Sequence, residues 1–348
     1  MPTLELHWSP TARAARAALS HPGVLLGAAG SPDPVEVDGR RLHPALQGLL
    51  ALGERTGMTD ETGDVDQRRA QLRQMARLSS PVVGGVRTED RTIPGPDGPI
   101  PVRTYRPDGA PPTAPGIVYF HGGGWVVGDL DTHDPTCRLL SVVAGAVVVS
   151  VDYRLAPEHP FPAAIDDGVA AWAWVADHAD ELGIDVDRLG VMGDSAGATL
   201  SAVVAQQARG GAHPTPAVQC LVYPLADSHL RADSYRTFAT GFGLTLESIE
   251  WFRARYLPTE ADRDDPRASP ILADDLTGSA PAIVVTAGFD PLRDDGAAYA
   301  AALADAGVAV RHREHGDMIH GFHGMLALPD ALTAAVDLAV DVGAALRA

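Results

Sequence analysis

The sequence of 348 residues contains no lysine, and all 27 of its basic residues are arginine. Without lysine the chain cannot form a Schiff base with a carbonyl substrate or with pyridoxal phosphate. It also cannot carry the lysine of a phosphate-binding P-loop or of a Ser-x-x-Lys acyl enzyme. Several enzyme classes are therefore excluded by composition alone.

Cysteine and long apolar runs are scarce. Cys137 and Cys220 lie far apart and match no metal-binding spacing, which favours two buried thiols in a reducing compartment over a disulfide. No apolar run approaches the length of a membrane span. HPGVLLGAAGSP (21–32) is the stretch most similar to a signal peptide, but its apolar run is short and His21-Pro22 interrupts it. We therefore expect a cytoplasmic protein without integral membrane association.

Positive charge is also in deficit, because 45 acidic residues outnumber the arginines and the formal net charge is -18. Such a chain is a poor partner for nucleic acid or anionic membrane. A strongly anionic substrate is disfavoured too, unless a local arginine cluster captures it. The length fits one large α/β domain with an accessory piece.

The pattern along the chain predicts an α/β fold. Helices are expected over 44–54 and 65–78, whereas residues 1–43 are only weakly patterned. VRTEDRTIP and PVRTYRP flank the turn-rich GPDGPI and predict a β-hairpin. Six more strands are expected to alternate with helices, giving a mostly parallel eight-stranded sheet with helices on both faces. These six are APGIVYF, AVVVSVDY, RLGVM, VQCLVYP, AIVVTAG and VAVRHRE. The connection 225–280 is too long for a simple crossover and carries the helix TLESIEWFRARYL, so it is an inserted piece.

The segment LGVMGDSAGAT (189–199) places Ser195 between Gly193 and Gly197. The pattern G-x-S-x-G is weak alone, but here a strand precedes it and a helix follows it. A serine on that sharp turn projects its hydroxyl at the carboxyl edge of the sheet. Free N–H groups at the start of the following helix can hold an oxyanion. Ser195 is therefore predicted to be a catalytic nucleophile.

A glycine-rich loop, FHGGGWVVG, directly follows the strand GIVYF. Consecutive glycines let backbone N–H groups approach a ligand, and in α/β-hydrolases such a loop supplies oxyanion donors. We assign those donors to Gly123, Gly124 and Ala196. A phosphate-binding loop is the alternative, but G-x-G-x-x-G spacing and lysine are both missing. His121 is expected to brace the loop rather than to act as a base.

A serine hydroxyl needs a base, and VAVRHREHGDMIHGFHG (308–324) offers four histidines. His312 lies inside the predicted strand, and His315 lies at its end. His320 sits well inside the following loop and is the chosen base, with His323 as runner-up. A zinc site is the alternative for this cluster, but no cysteine joins it and no H-E-x-x-H pattern forms.

The orienting acid should follow the strand PAIVVTAG, where the chain reads FDPLRDDG. Asp290 falls in the loop directly at the strand end and is the chosen acid. Asp294 and Asp295 are expected to begin the next helix, where acidic residues suit the helix dipole. The order Ser195, Asp290, His320 is the one that α/β-hydrolases require.

Two further sets of polar residues are expected to be structural. VDYRLAPEHPFPAAIDD (151–167) predicts a rigid turn behind the active site, with Asp152, Glu158 and His159 satisfied internally. Asp194, next to the nucleophile, could brace the glycine loop.

Five motifs in order, HGGGW, DYRLAPEHPFPAAIDD, GDSAG, DPLRDD and IHGF, resemble the bacterial hormone-sensitive lipase family of esterases in its GDSAG subgroup. The resemblance covers roughly residues 85–330. It implies an eight-stranded α/β-hydrolase core under a helical cap, which that family builds from its N-terminal segment and an insertion after the sixth strand. Here the cap would comprise 1–85 and 225–280, and the core 86–224 and 281–348.

The resemblance also assigns roles to single residues. It puts the nucleophile, acid, base and three oxyanion donors on Ser195, Asp290, His320, Gly123, Gly124 and Ala196. It implies hydrolysis of carboxylic esters with short to medium acyl chains, without metal or cofactor. Two features depart from the family: the first forty or so residues extend beyond the usual cap, and Asp317 replaces what is often a small residue. A carboxylate there could raise the pKa of His320 or simply face water.

The resulting hypothesis is a serine carboxylesterase acting on a small-molecule ester. Five residues are candidates for its substrate pocket: Trp125, Phe242, Leu244, Trp251 and Phe252. One alternative is a non-catalytic ligand-binding protein, because plant gibberellin receptors resemble this family but have lost the catalytic histidine. Another is an amidase or acyltransferase that uses the same triad. The sequence leaves a homodimer open.

Overall fold

A computed structural model of the chain describes residues 4–56 and 63–348. The strands are β1 (Leu6–His7), β2 (Glu36–Val37), β3 (Arg40–Arg41), β4 (Val82–Val83), β5 (Val86–Gly95), β6 (Gly98–Pro107), β7 (Ala114–Phe120), β8 (Val147–Val151), β9 (Ile184–Asp194), β10 (Gln219–Val222), β11 (Ala282–Phe289) and β12 (Val310–Ile319). The helices are α1 (Pro10–Ser20), α2 (Pro22–Ala28), α3 (Pro44–Thr56), α4 (Val65–Ser79), α5 (Asp134–Ala144), α6 (Ala163–Asp177), α7 (Ala179–Leu182), α8 (Ala196–Ala208), α9 (Ser234–Thr237), α10 (Leu246–Tyr256), α11 (Arg293–Asp305) and α12 (Pro329–Ala345).

Strands β5 to β12 form one sheet in the order β12-β11-β10-β9-β7-β8-β6-β5. β6 pairs antiparallel with β5 and β8, and all other neighbours are parallel. Every residue of β7, β8, β10 and β11 is buried, as expected for strands covered by helices on both faces. The predicted eight-stranded sheet and its hairpin are confirmed.

The sheet brings the candidate catalytic residues to one edge. Ser195 directly follows β9, Asp290 follows β11 and His320 follows β12, while the glycine loop follows β7. The carboxyl ends of parallel strands lie at a common edge, where α/β proteins bind their ligands. Residues far apart in sequence are therefore close in space.

Strand β12 is longer than predicted, which corrects the location of two histidines. His315 lies inside the strand rather than at its end, and His320 follows the strand directly instead of lying well inside a loop. The register with β11 shifts at Gly288, and pairing then resumes further along. A Cβ on Gly288 would lie 2.2 Å from the carbonyl oxygen of Gly316, so only glycine permits this crossing. The sequence pattern does not reveal such a bulge.

The N-terminal segment contains the two expected helices, α3 and α4, and also α1 and α2, which the weak pattern did not predict. Ser9 caps α1 by accepting the N–H of Ala12 at 3.1 Å. The stretch that resembles a signal peptide forms α2, which packs against α3 so closely that a Cβ on Gly48 would lie 2.7 Å from the Cβ of Leu25. Each of these helices buries one residue, Ala12 in α1 and Leu25 in α2. So little burial explains why the apolar periodicity of this segment is weak.

The segment between β10 and β11 contains α9, α10 and two short 3-10 helices, at Glu260–Asp264 and Pro270–Leu272. Thr245 begins α10 by accepting the N–H of Ser248 at 3.1 Å. Cys137 and Cys220 are both buried free thiols, as predicted. Within 4–56 and 63–348, no helix is long and apolar enough to cross a membrane.

Candidate active site

Ser195 occupies a strained turn between β9 and α8. Its φ of 53° and ψ of -122° are uncommon for a residue with a side chain. A Cβ on Gly193 would lie 2.3 Å from the oxygen of Gly197, and one on Gly197 would lie 2.0 Å from the oxygen of Phe120. The two glycines therefore allow backbone to pack directly on backbone, and this holds the elbow.

A continuous hydrogen-bonded chain joins three of the predicted residues. The Nε2 atom of His320 lies 3.0 Å from the Ser195 hydroxyl, and its Nδ1 lies 2.8 Å from Oδ2 of Asp290. With a neutral imidazole the hydroxyl donates to Nε2 while Nδ1–H donates to the carboxylate. Asp290 is fully buried, and its Oδ1 accepts the N–H of Leu292 at 2.8 Å. This is the arrangement that activates a serine nucleophile.

The other three candidate histidines do not share these contacts. His312 contacts Thr286 at 3.0 Å within the sheet, and His315 lies earlier in β12. His323 lines the same cavity as His320, but its Nε2 has no hydrogen-bond partner among the described residues. Among the residues that the structure describes, no cluster of side chains that could bind a metal ion is found.

The glycine loop adopts backbone conformations that favour glycine. Gly123 has a φ of 122° and Gly124 a φ of 59°. A Cβ on Gly124 would lie 2.4 Å from the ring of Phe252, so α10 packs directly on this loop. Ala196 is the first residue of α8, so its N–H has no acceptor within the helix. All three line the cavity with Ser195, where their N–H groups can stabilise an oxyanion.

The cavity above Ser195 has a volume of about 370 Å³. Its walls are mainly apolar and come from the core, from α4 and from α10. A cavity of this size and character suits a small organic molecule.

Comparison with known proteins decides the family. Residues 117–324 match the family described as alpha/beta hydrolase fold. The chain belongs to this α/β-hydrolase family. It is 47% identical to the carboxylic ester hydrolase LipN of Mycobacterium tuberculosis, over 84% of this chain and 80% of that protein. The carboxylesterase NlhH of the same organism is 46% identical, over 74% of this chain and 82% of that protein.

A solved structure agrees with these relatives. An ester hydrolase from the metagenome of Lake Arreo superimposes with a TM-score of 0.84 at 39% identity, covering 88% of this chain and all of that one. The predicted membership of the hormone-sensitive lipase family, the α/β-hydrolase fold and the class of carboxylic ester hydrolase are thereby confirmed.

The pocket of this hydrolase differs in part from the expected one. Trp125, Leu244 and Phe252 line the cavity, but Phe242 and Trp251 do not. Phe242 instead packs against Phe289 at the end of β11, and Trp251 lies behind Phe252, edge to face at 5.1 Å. The expectation was based on apolar character, whereas the lining depends on the direction of each side chain, as the neighbours Trp251 and Phe252 in α10 show.

Residues of α4 complete the cavity, a role that the sequence pattern does not predict for them. Leu72 and Met75 line it from a helix that has no fully buried residue. Met75 remains 60% exposed, so α4 borders the opening of the cavity. Apolar side chains at helical spacing were the available signal, but that spacing predicts only a helix and not what its apolar side contacts.

Asp194 fixes the glycine loop to the elbow. Its Oδ1 accepts the hydroxyl of Tyr119 at 2.7 Å and the N–H of Gly122 at 3.0 Å, with Nε2 of His133 at 3.4 Å. Burial would raise the pKa of Asp194, but His133 and the hydroxyl of Tyr119 hold it well below its usual range. An ionised Asp194 therefore positions the oxyanion loop.

His121 is enclosed behind the same loop. Its Nδ1 lies 2.8 Å from the oxygen of Gly122, and Tyr153 stacks on its ring at 4.3 Å. Burial lowers the pKa of His121 to about 4. This neutral, packed imidazole agrees with the expected bracing role.

Because His323 is buried, we expect the protein to lose stability in acid. Burial lowers its pKa to about 4 from an ordinary 6.5. The unfolded chain therefore binds more protons between these values, so stability is full above pH 6.5 and is lost as the pH falls towards 4. The cost is about 3 kcal/mol at pH 4. Replacing His323→Leu should remove this loss, so the variant gains about 3 kcal/mol relative to wild type between pH 7 and pH 4.

The measurement is urea unfolding of both proteins at several pH values. The readout is the difference in the free energy of unfolding between wild type and variant, because other buried groups also titrate in this range. Burial raises the pKa of Asp152 to about 6 and of Asp295 to about 7. As the pH falls, these two acids raise the stability while His323 lowers it. Their contribution is the same in both proteins and therefore cancels in the difference. A constant difference across pH would contradict the prediction.

Asp317 and Asp295, two acidic residues singled out in the sequence, make further contacts that the sequence does not predict. The backbone oxygen of Asp317 accepts the N–H of His43 at 2.9 Å, and its charge raises the pKa of His315, although burial lowers that pKa overall. Asp295 begins α11 with Asp294, as predicted, but it is buried. It accepts two backbone N–H groups at the start of the insertion and the hydroxyl of Tyr235.

The turn 151–167 is bonded to α4 as well as within itself. Glu158 accepts two hydrogen bonds from Arg69 at 2.8 Å, and His159 is exposed. The expectation that both side chains find their partners within the turn is therefore wrong. The internal pair is Arg154 with Asp167, which is only 1% exposed. The difference arises because this turn faces α4 across a solvent-accessible boundary.

Proposed function

We propose that this hydrolase is a serine carboxylesterase that cleaves esters with short to medium acyl chains through an acyl enzyme on Ser195. The observation that carries the proposal is the hydrogen-bonded chain from Ser195 through His320 to the buried Asp290. Its relatives are named carboxylic ester hydrolase and carboxylesterase, which supports the same reaction class.

In the proposed mechanism His320 accepts the hydroxyl proton of Ser195 as Oγ attacks the ester carbonyl. Asp290 orients the imidazole and stabilises its protonated form. The N–H groups of Gly123, Gly124 and Ala196 stabilise the charge on the tetrahedral oxygen, the point at which such donors contribute most. His320 then protonates the leaving alkoxide, and water releases the acyl group by the reverse sequence.

We further propose that 1–85 and 225–280 form a cap over a core of 86–224 and 281–348. Two contacts of α4 support this division, since Arg69 bonds Glu158 and Arg73 bonds Asp129 across the boundary. Both pairs are partly exposed, so each contributes little stability alone. Cytoplasmic location and a homodimer stay predictions.

The cavity volume predicts a limit on acyl length. Each methylene buried in the cavity can raise kcat/KM by up to about fourfold. We expect kcat/KM for p-nitrophenyl esters to peak at about four to eight acyl carbons and to fall at least about tenfold by palmitate. A spectrophotometric series from acetate to palmitate measures this.

Two outcomes of that series are decisive in different ways. A flat profile to palmitate would overturn the chain-length proposal but keep the esterase. No turnover by folded protein would overturn the esterase itself and favour the ligand-binding alternative. Matched butyryl ester and anilide substrates separate an esterase from an amidase, and we expect the ester to be preferred.

A further inference from the structure

Helix α10 places a charged residue in an otherwise apolar face. Ile249, Phe252, Arg253, Tyr256 and Leu257 recur at positions i, i+3, i+4, i+7 and i+8, and all five line the cavity. Amphipathic helices normally keep charged side chains on the opposite face. An arginine at this position therefore needs a reason beyond solubility.

The guanidinium of Arg253 has few protein partners. Its side chain is 18% exposed, and Nη1 donates to the oxygen of Ser228 at 3.1 Å. Within the described residues the acid paired with it is Glu250, whose Oε1 lies 4.0 Å away and whose side chain is 58% exposed. Guanidinium carries five N–H donors in a fixed fork, so Arg253 has capacity for a bidentate acceptor. Burial, with the nearby charge of Arg263, lowers its pKa, as expected for a cation without close compensation.

The charge of the cavity points the same way. Asp194 is the acidic residue among the described lining residues, and Tyr119 and Gly122 already donate to it. Arg68 also lines the cavity, with its guanidinium 4.8 Å from the ring centre of Phe252. A protein with a net charge of -18 thus places two guanidinium groups and one carboxylate in the described wall of the cavity above Ser195.

We propose that Arg253 determines specificity by binding a carboxylate of the substrate, so that the preferred substrates are esters that carry a second, free carboxylate. The proposal rests on the esterase function proposed above. The reaction consumes one water, splits the ester into acid and alcohol, and leaves the free carboxylate unchanged. A carboxylate accepts two parallel hydrogen bonds from guanidinium, which adds geometric selection to charge attraction.

The test compares charged esters with neutral ones of equal length. Proton release is measured for monoethyl esters of dicarboxylic acids from succinate to suberate, and for ethyl alkanoates, at 0.15 M salt to screen the overall charge. A second arm uses butyryl esters of hydroxy acids, which place the carboxylate on the alcohol side. In one of the two arms we expect wild type to prefer the charged ester by about tenfold or more at one length.

Variants assign that preference to one side chain. Arg253→Gln should lose about 10- to 100-fold in kcat/KM on the preferred charged ester, mainly through KM, and less than about threefold on the neutral ester. Arg253→Lys should recover part of the loss. Arg255→Gln is the matched control, since Arg255 stacks on Trp251 at 3.7 Å and does not line the cavity.

Each other result has a defined meaning. A neutral ester preferred at every length in both arms would overturn the proposal without any variant. An equal loss on charged and neutral esters in Arg253→Gln would show a structural role and also overturn it. Failure of wild type on p-nitrophenyl butyrate would instead reject the esterase function on which the proposal depends.

Discussion

Replacement of Ser195 by alanine is expected to lower kcat for p-nitrophenyl butyrate by about 10⁵-fold. The reason is that the covalent route disappears, while the backbone donors and the cavity remain to bind the substrate. KM should change little, because the hydroxyl contributes mainly to the transition state. The residual rate is best measured on protein purified apart from wild type, since a trace of wild-type enzyme would dominate it.

Covalent labelling gives an independent reading of the same change. A fluorophosphonate should add one equivalent to wild type and none to Ser195→Ala, as measured by intact mass. Ser80→Ala is the matched control, because Ser80 also lines the cavity, and it should keep activity within about threefold. If Ser195→Ala retained more than about one per cent of the rate, the nucleophile would have to be another group.

The location of the triad could be predicted because it depends on chain order and strand ends. Ser195, Asp290 and His320 each follow a strand of one parallel sheet, and the distances of 3.0 Å and 2.8 Å agree with that reasoning. The sequence favours His320 over His323 because His320 is expected well inside the loop, whereas His323 lies nearer the following turn. The contacts agree with this choice, although β12 continues to Ile319, so that His320 follows the strand directly and does not lie well inside a loop.

Contacts that depend on side-chain direction could not be predicted. Trp251 and Phe252 are adjacent in sequence, yet a helix turns about 100° between neighbours, so only Phe252 faces the cavity. The pair of Arg69 and Glu158 joins residues that are 89 positions apart. Neither periodicity nor motif spacing contains that information, because it comes from how α4 lies on the core.

The second large effect is expected at His320. His320→Ala should lower kcat by at least about 10⁴-fold, because Ser195 then loses the base that accepts its proton. The alternative base is His323, which lines the same cavity but makes no hydrogen bond to Ser195 among the described contacts. The decisive comparison is therefore between the two histidines rather than between one variant and wild type.

His323→Leu should keep activity within about tenfold, because leucine fills a similar volume and removes a nitrogen that has no partner. Steady-state rates of both variants on p-nitrophenyl butyrate, with thermal midpoints to establish folding, measure the contrast. The two histidines are expected to separate by about a thousandfold or more. A larger loss in His323→Leu than in His320→Ala would transfer the role of base to His323. Asp290, whose carboxylate contacts only His320 of these two, would then have no part in orienting it.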